Sequence, residues 1–256
     1  MRRLLVVLAV VIGCHGERAR PGVLRVMSYN MNFGIAGDRA GVDAIANGSP
    51  DVVFLQETNP RWEAALTRGL RDRFPHRRFA PPEEWPAGGM GLLSKFPIVE
   101  LEELPPAGGP FFAWRVVLET NIGRIQVLNV HLRPPMSDGG SWVVGYFSTR
   151  EDRLHEIEAH AKALAPGLPT LIVGDFNEEA DGLAVTELAH RGYVDAIATQ
   201  HGNTPTWEWP LRGITLRFQL DHLMHDARFV ATTSTIVEAG RSDHKPVWVD
   251  LVRVGE

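Results

Sequence analysis

Short apolar segments that end on polar or charged residues recur along this chain of 256 residues, and they constrain its fold more than any other feature. The five pairs of residues at these ends are Asn30 and Asn32, Gln56 and Glu57, Asn129 and His131, Asp175 and Asn177, and Asp221 and His222. A carboxylate at the end of a buried strand is costly unless it is paired, hydrogen-bonded or bound to a cation. The pattern predicts strand ends that share one site, although each residue taken singly could be an ordinary turn or capping residue.

The apolar periodicity predicts strands interleaved with helices. The predicted strands cover residues 23–30, 51–57, 90–94, 98–101, 111–120, 124–132, 171–175, 217–225, 229–237 and 246–252. The predicted helices cover residues 42–46, 61–72, 150–164 and 182–191. No linker-like composition separates Leu24 from Val252, so we expect one α/β domain with mixed sheets over residues 23–256.

The first residues have the pattern of a secretory signal. Two arginines precede an apolar run over residues 4–12, which as a helix spans only about 14 Å and cannot cross a hydrocarbon core of about 30 Å. The segment Val11-Ile12-Gly13-Cys14 resembles the lipobox of bacterial lipoproteins. That resemblance implies removal of residues 1–13, a lipid on Cys14, a tether over residues 14–22 and a lipid-anchored place in the bacterial cell envelope.

Two other interpretations of this segment stay open. A plain cleaved signal would give a secreted or periplasmic soluble protein, and a start codon assigned too early would place the segment in front of a cytosolic enzyme. Cys14 is the single cysteine, so an intramolecular disulfide and a cysteine-based zinc site are excluded.

The net charge of −5 argues against a strongly basic surface for binding polyanions. With 26 basic against 31 acidic residues, the chain has no excess of positive charge that would hold a polyanion by Coulomb attraction alone.

Seven stretches of this sequence, in order, resemble the endonuclease/exonuclease/phosphatase superfamily, which includes deoxyribonucleases, sphingomyelinases and 5-phosphatases. They are Met27–Asn32, Asp51–Glu57, Gly91–Ile98, Asn129–Leu132, Gly174–Asn177, Leu220–His222 and Ser242–Val247. The resemblance implies a four-layer sandwich, in which two mixed β-sheets pack face to face with helices outside.

The resemblance also implies a metal site. Glu57 is expected to be the principal ligand, with Asn30 beside it and Asp243 as a further acidic contact. Hard oxygen ligands without thiolates suit Mg²⁺ or Mn²⁺.

The catalytic group implied by the resemblance has five members. Asp175 and Asn177 match the pair that orients the attacking water and holds a phosphate oxygen, and His244 with its partner Asp221 matches the catalytic histidine pair. His131 matches a donor to the phosphoryl oxygens. The implied reaction is in-line attack of water on phosphorus by a monomeric enzyme, and whether Asp175 or the histidine pair takes the proton stays open.

The substrate is left open by the sequence. Arg133 is a candidate phosphate contact, and Trp207 and Trp209 could stack on bases or enter a lipid interface, or could equally be core residues of long loops. The first hypothesis is a phosphodiesterase acting on extracellular nucleic acid or nucleotides. The alternatives are a phosphoesterase for phospholipid headgroups or sugar phosphates, and a binding module that has lost its chemistry.

One zinc-like motif is rejected. His155 and His160 flank Glu156 and Glu158, but histidines five residues apart lie about 140° apart around a helix. We expect this segment to be a solvated helix face.

Overall fold

The computed structural model describes residues 21–136, 140, 142–211 and 213–255. The predicted signal, Cys14 and the first part of the tether, up to residue 20, lie outside the described residues. Among the described residues, no helix is long and apolar enough to cross a bilayer.

Fourteen strands are found in the described part of the chain. They are β1 (Leu24–Asn30), β2 (Val52–Gln56), β3 (His76–Ala80), β4 (Met90–Ser94), β5 (Ile98–Leu104), β6 (Ala113–Thr120), β7 (Gly123–His131), β8 (Thr170–Asp175), β9 (Val194–Asp195), β10 (Trp207–Leu211), β11 (Ile214–Phe218), β12 (Asp221–His225), β13 (Phe229–Ile236) and β14 (Val247–Arg253). The first six-stranded sheet has the order β13-β14-β1-β2-β4-β3, and the second has the order β5-β6-β7-β8-β12-β9. Strands β10 and β11 form a separate hairpin.

The described part of the chain contains six α-helices, four of which cover the outer faces of the two sheets. They are α1 (Arg39–Gly48), α2 (Pro60–Leu70), α3 (Trp142–Ser148), α4 (Arg150–Ala161), α5 (Leu183–His190) and α6 (Ala196–His201), with short 3₁₀ helices at Phe33–Ile35 and Pro86–Gly88. Helix α2 begins one residue before the predicted start at residue 61, because Asn59 caps its first turn and Pro60 occupies the first helical position.

Three apolar layers hold the fold together and confirm the predicted four-layer sandwich. The central layer lies between the sheets and contains Val26 and Phe54 from the first sheet and Val127 and Val173 from the second. A second layer packs α1 and α2 on the first sheet, and a third packs α4 and α5 on the second. Because each inner strand is covered on both faces, it is apolar along its length rather than alternating.

The sheets place functional strand ends side by side. β1 pairs in parallel with β2, and β7 pairs in parallel with β8. The carboxyl ends of parallel strands meet at the same edge, so the second pair brings His131 opposite Asp175. The predicted cleft is therefore formed by matching edges of the two sheets.

One predicted strand is wrong in its extent. Residues 217–225 were expected to form a single strand, but they belong to β11 and β12, which have different partners: β11 pairs with β10, and β12 pairs with β8. The Thr206 hydroxyl fixes the break by accepting the backbone N–H groups of Leu220 and Asp221. Local periodicity does not reveal this change of partner.

Candidate active site

Asp175 lies at the centre of a cluster of polar groups. Its Oδ2 is 3.0 Å from Asn30 Nδ2, 3.4 Å from His244 Nε2 and 3.6 Å from His131 Nε2. Its Oδ1 accepts the backbone N–H of Asn177 at 2.9 Å. The structure therefore brings together side chains from both sheets around one buried carboxylate.

The position of Asp175 depends on the glycine before it. Gly174 has a φ of 139°, and a β-carbon built there would lie 2.0 Å from the carbonyl oxygen of Val130. Only glycine permits this conformation and this approach of β8 to β7. The close approach places Asp175 beside His131.

His244 is held between two aspartates. Its Nδ1 is 2.9 Å from Oδ2 of Asp221, and its Nε2 faces Asp175. Burial disfavours the charged ring, but the charges of Asp221 and Asp175 outweigh it and raise the pKa of His244 to about 10. The ring is therefore a proton donor at neutral pH.

His131 has the opposite electrostatic environment. Burial lowers the pKa of its ring to about 4, against the opposing charge of Asp175. The ring stacks on Phe111 with the two centroids 4.1 Å apart and an angle of 18° between the planes. His131 is thus a neutral imidazole whose orientation is fixed by an aromatic neighbour.

Glu57 follows β2 in a left-handed conformation, with a φ of 57°. Its two oxygens accept the side-chain amide of Asn30 at 3.1 Å and the backbone N–H of Phe33 at 3.1 Å. Burial raises the pKa of this carboxyl, while His244 lowers it. No lysine or arginine in the described part of the chain forms an ion pair with Glu57.

Asp243 is fixed by two neutral donors. Asn32 Nδ2 donates to its Oδ1 at 2.7 Å, and the indole N–H of Trp207 donates to its Oδ2 at 2.9 Å. The Ser242 hydroxyl donates to the carbonyl of Asn30 at 2.8 Å, which ties the segment before β14 to the end of β1.

Backbone strain marks the site in a way that the sequence did not reveal. In the described chain, four non-glycine residues have positive φ, and three of them, Asn32, Glu57 and Asn177, lie at this cluster. Such conformations cost about 1–3 kcal/mol each and persist where the surroundings enforce them. Here hydrogen bonds from neighbouring loops enforce them.

The comparisons with known proteins agree with this geometry. The family model described as "Endonuclease/Exonuclease/phosphatase family" matches residues 27–244. The chain belongs to the endonuclease/exonuclease/phosphatase family. Members of this family are metal-dependent hydrolases of phosphoester bonds, and this chain is a hydrolase of that class. No curated protein matches the sequence.

Solved structures share the family fold at low sequence identity. An endonuclease/exonuclease/phosphatase from Beutenbergia cavernae DSM 12333 is 21% identical with a TM-score of 0.70, covering 91% of this chain and 72% of that one. The human Nocturnin catalytic domain with bound sulfate anion is 16% identical with a TM-score of 0.69, covering 92% and 96%. D. rerio TDP2 complexed with single strand DNA product is 17% identical with a TM-score of 0.66, covering 90% and 98%.

The residues present fit the divalent metal that the family uses. Glu57, Asp175 and Asp243 converge on the cleft, and their partners among the described residues are amides, histidines, hydroxyls, backbone N–H groups and an indole rather than lysines or arginines. Asp175 faces the protonated ring of His244, whereas Glu57 and Asp243 are partly buried carboxylates whose partners in the described chain include no lysine or arginine. Such carboxylates favour a bound cation, and their oxygens suit a hard one. Asp175, Asp221 and His244 also offer ligand atoms within 4.8 Å of one another. A protonated His244 is a poor ligand, so we expect the cation on the Glu57 side.

Asn30 meets this site with its nitrogen. Its Nδ2 donates to both Glu57 and Asp175, while its Oδ1 accepts the backbone N–H of Asn32. Its predicted role as a direct metal ligand stays a prediction, and in this structure it holds the two carboxylates together.

Three of the polar strand-end residues have structural roles. Gln56 donates to Asn129 Oδ1 at 2.7 Å, which joins the two sheets inside the sandwich. His222 contacts Asp195 at 2.5 Å through Nδ1 and the Glu178 carbonyl at 2.9 Å through Nε2. These polar side chains join separate elements of the fold and do not contribute to the cleft.

The predicted rim residues differ in exposure. Trp207 is buried, as in the core alternative, whereas Trp209 is 44% exposed. Arg133 forms an ion pair with Asp152 at 3.1 Å and lines the groove beside His131.

Apolar grooves flank the cluster, and sequence reasoning missed most of their residues. A groove of about 630 Å³ lies beside His131 and is lined by Phe33, Trp85, Phe111, Arg133 and Met136 among others. A second, of about 330 Å³, is lined by Tyr146, Phe147, Trp207, Phe218 and Leu220 among others. The first is built by loops whose apolar residues are too scattered to show a period.

Proposed function

We propose that this chain hydrolyses phosphodiester bonds by in-line attack of water, with Mg²⁺ or Mn²⁺, as an exported nuclease or phosphodiesterase. The observation that carries the proposal is the meeting of Asn30, His131 and His244 on Oδ2 of Asp175. Glu57 and Asp243 lie nearby, with no lysine or arginine partner in the part of the chain that the structure describes. A carboxylate surrounded by donors beside such groups suits a reaction in which water and a phosphate group are oriented together.

Each side chain has a task in this reaction. Asp175 and Asn177 orient the water, Asp221 keeps His244 protonated and oriented, and His244 and His131 donate hydrogen bonds to the phosphoryl oxygens. Glu57 and Asp243 hold the cation, which when bound neutralises phosphate charge and acts as a Lewis acid. Because His244 is held protonated by two aspartates, Asp175 is the better acceptor for the proton of the water.

A phosphodiester in nucleic acid or nucleotides is the substrate we favour. The fold relative TDP2 from D. rerio is complexed with single strand DNA product, and Nocturnin carries a sulfate anion. The net charge of −5 argues against a tight, salt-resistant hold on long DNA. We therefore expect activity that is strongest on short or single-stranded substrates, from a monomer.

A second candidate is a phosphoesterase for phospholipid headgroups. Trp209, Leu211 and Ile214 are exposed on the β10–β11 hairpin, and Phe147 is exposed on α3. Exposed apolar side chains beside a reaction centre suit entry into a lipid interface. Sphingomyelin in vesicles is the substrate that tests it, and Trp209→Ala should weaken vesicle binding while leaving hydrolysis of soluble diesters unchanged.

The substrate classes can be separated with purified protein and Mg²⁺ or Mn²⁺. Plasmid DNA, single-stranded oligonucleotides, bis-p-nitrophenyl phosphate, p-nitrophenyl phosphate and sphingomyelin are assayed in parallel with His244→Ala as control. Turnover of diesters that is lost in the variant supports the proposal. Turnover of none of them would leave the binding-module alternative, and equal turnover by the variant would contradict the role assigned to His244.

Export and anchoring are part of the proposal. They rest on the apolar run and the lipobox-like Val11–Cys14 segment. Mass spectrometry of the protein expressed with its own first residues gives the test. A diacylglyceryl-modified Cys14 at the new N-terminus is the expected result, an intact Met1 contradicts export, and a cleaved chain without the lipid indicates the soluble secreted or periplasmic form.

A further inference from the structure

Glu156 lies on α4, in the segment predicted to be a solvated helix face, and that prediction is wrong. Glu156 is fully buried, and His160 is nearly so. Oε2 of Glu156 accepts the backbone N–H of Arg133 at 2.8 Å. A β-carbon built on Gly109 would lie 1.8 Å from Oε1, so the carboxyl group rests directly against the glycine backbone.

The two segments that Glu156 touches are the two that surround His131. Arg133 follows the end of β7 by two residues. Gly109 belongs to the connection between β5 and β6, which carries Phe111, the ring that stacks on His131. Both segments also line the groove beside the site.

We propose that Glu156 is a positioning residue that sets the spacing between the 105–112 connection and the end of β7, and so holds His131 against Phe111 and fixes the width of the groove. This inference rests on the proposed function. Arg153, one turn earlier on α4, supports the same strand end, since its Nη1 lies 3.4 Å from the Arg133 carbonyl oxygen.

The ionisation of Glu156 gives this spacing a dependence on pH. Its Oε1 is buried, and no group among the described residues forms a hydrogen bond with it. Burial raises the pKa of the carboxyl to about 8, although the Arg133 N–H and the charge of Arg153 lower it. The other charged groups that face it are Asp152 and the Arg133 side chain. Above that pH a charged oxygen lies against the Gly109 backbone and weakens the contact.

Four variants test the proposal. Glu156→Gln keeps the acceptor and the volume without the charge, and Glu156→Ala removes the contact. Gly109→Ala forces the two segments apart from the other side. Glu158→Ala is the matched control, because Glu158 is on the same helix, is half exposed and makes only a 3.9 Å ion pair with Arg191.

The readouts are kcat and KM on a soluble diester at about pH 7 and about pH 9, the melting temperature, and the ring-current shift of the His131 ring protons in histidine-labelled protein. Glu156→Ala and Gly109→Ala should lower kcat about 10- to 100-fold and reduce the ring-current shift by about half or more. Glu156→Gln and the control should keep both near the wild-type values at neutral pH. The ratio of wild-type to Glu156→Gln kcat should fall about threefold or more on going to the higher pH.

Folded Glu156→Ala or Gly109→Ala protein with an unchanged His131 ring shift would overturn the inference, as would a pH-independent ratio of the wild type to Glu156→Gln. If either variant fails to fold, the proposal is still tested by the ratio of wild-type to Glu156→Gln kcat at the two pH values and by the His131 ring-current shift in Glu156→Gln. Absence of wild-type activity on every diester would instead refute the proposed function, and the ring shift would then test the spacing alone.

Discussion

Oδ2 of Asp175 lies 3.4 Å from Nε2 of His244, and both side chains are buried. Asp175 ends β8 in the second sheet, whereas His244 precedes β14 in the first. The contact therefore spans the sandwich, and the reactive geometry depends on how the two sheets pack. Substitutions that shift one sheet relative to the other should lower activity even when they lie outside the cleft.

Asp221→Asn should lower kcat by about 10²- to 10⁴-fold with little change in KM, because the ring of His244 loses the charge that keeps it protonated and oriented. His244→Ala and the Asp221→Asn/His244→Ala double variant are measured alongside. The loss of activation free energy in the double variant should be far smaller than the sum of the losses in the two single variants. A kcat for Asp221→Asn within about threefold of the wild type would contradict this role.

Glu57→Gln should abolish the stabilisation of the protein by Mn²⁺ or Mg²⁺. In EDTA the variant should be as stable as the wild type or more so, because burial raises the pKa of this carboxyl and makes its charge unfavourable without a cation. Melting temperatures with and without metal measure both effects, independently of activity. An equal metal-induced shift in the two proteins would place the cation elsewhere.

Gly174→Ala should destabilise the protein by about 3 kcal/mol, because the added β-carbon would collide with the Val130 carbonyl. The folded fraction of the variant should also be less active, because the collision would displace Asp175. Gly167→Ala is the matched control, since Gly167 also has positive φ but has open space around it, and should cost only about 1 kcal/mol. Urea unfolding gives both values, and similar losses for the two variants would exclude the collision.

The pair of His222 and Asp195 should make stability depend on pH. Burial opposes the charged ring, but Asp195 outweighs it and raises the pKa of His222 to about 9, above the ordinary value of 6.5. The contribution of this pair to the free energy of unfolding is therefore complete below about pH 6.5 and is lost as the pH rises through about 9. It amounts to about 3 kcal/mol at most.

Asp195→Asn tests this pair, because asparagine retains the cap of α6 while losing the charge. The difference in unfolding free energy between wild type and variant should be largest near pH 6 and should shrink towards about pH 9.5. A difference that is constant across this range would show that the pair does not titrate there.

The sequence predicted the layers of the fold well, and for a physical reason. Strands covered on both faces, such as β2 and β8, are apolar throughout, and α2 carries its own start signals in Asn59 and Pro60. The same local signals missed β10, which pairs with the neighbouring β11. They also missed the division of residues 217–225, because β12 begins where it pairs with β8, which lies far away in the chain.

The chemistry of the cleft follows from the sequence, and its arrangement follows from the tertiary structure. The residue types at the strand ends and the motifs around them are sufficient for the family. They also predict Glu57, Asp175, Asp221 and His244 as site residues, which the structure brings into one cluster. Only the packing of the two sheets decides that Gln56 and Asn129 bond to each other across the sandwich, that Trp207 is buried under Asp243, and that Glu156 is enclosed. A side chain's environment is set by elements that are distant in the chain, and a period of two or 3.6 residues carries no information about them.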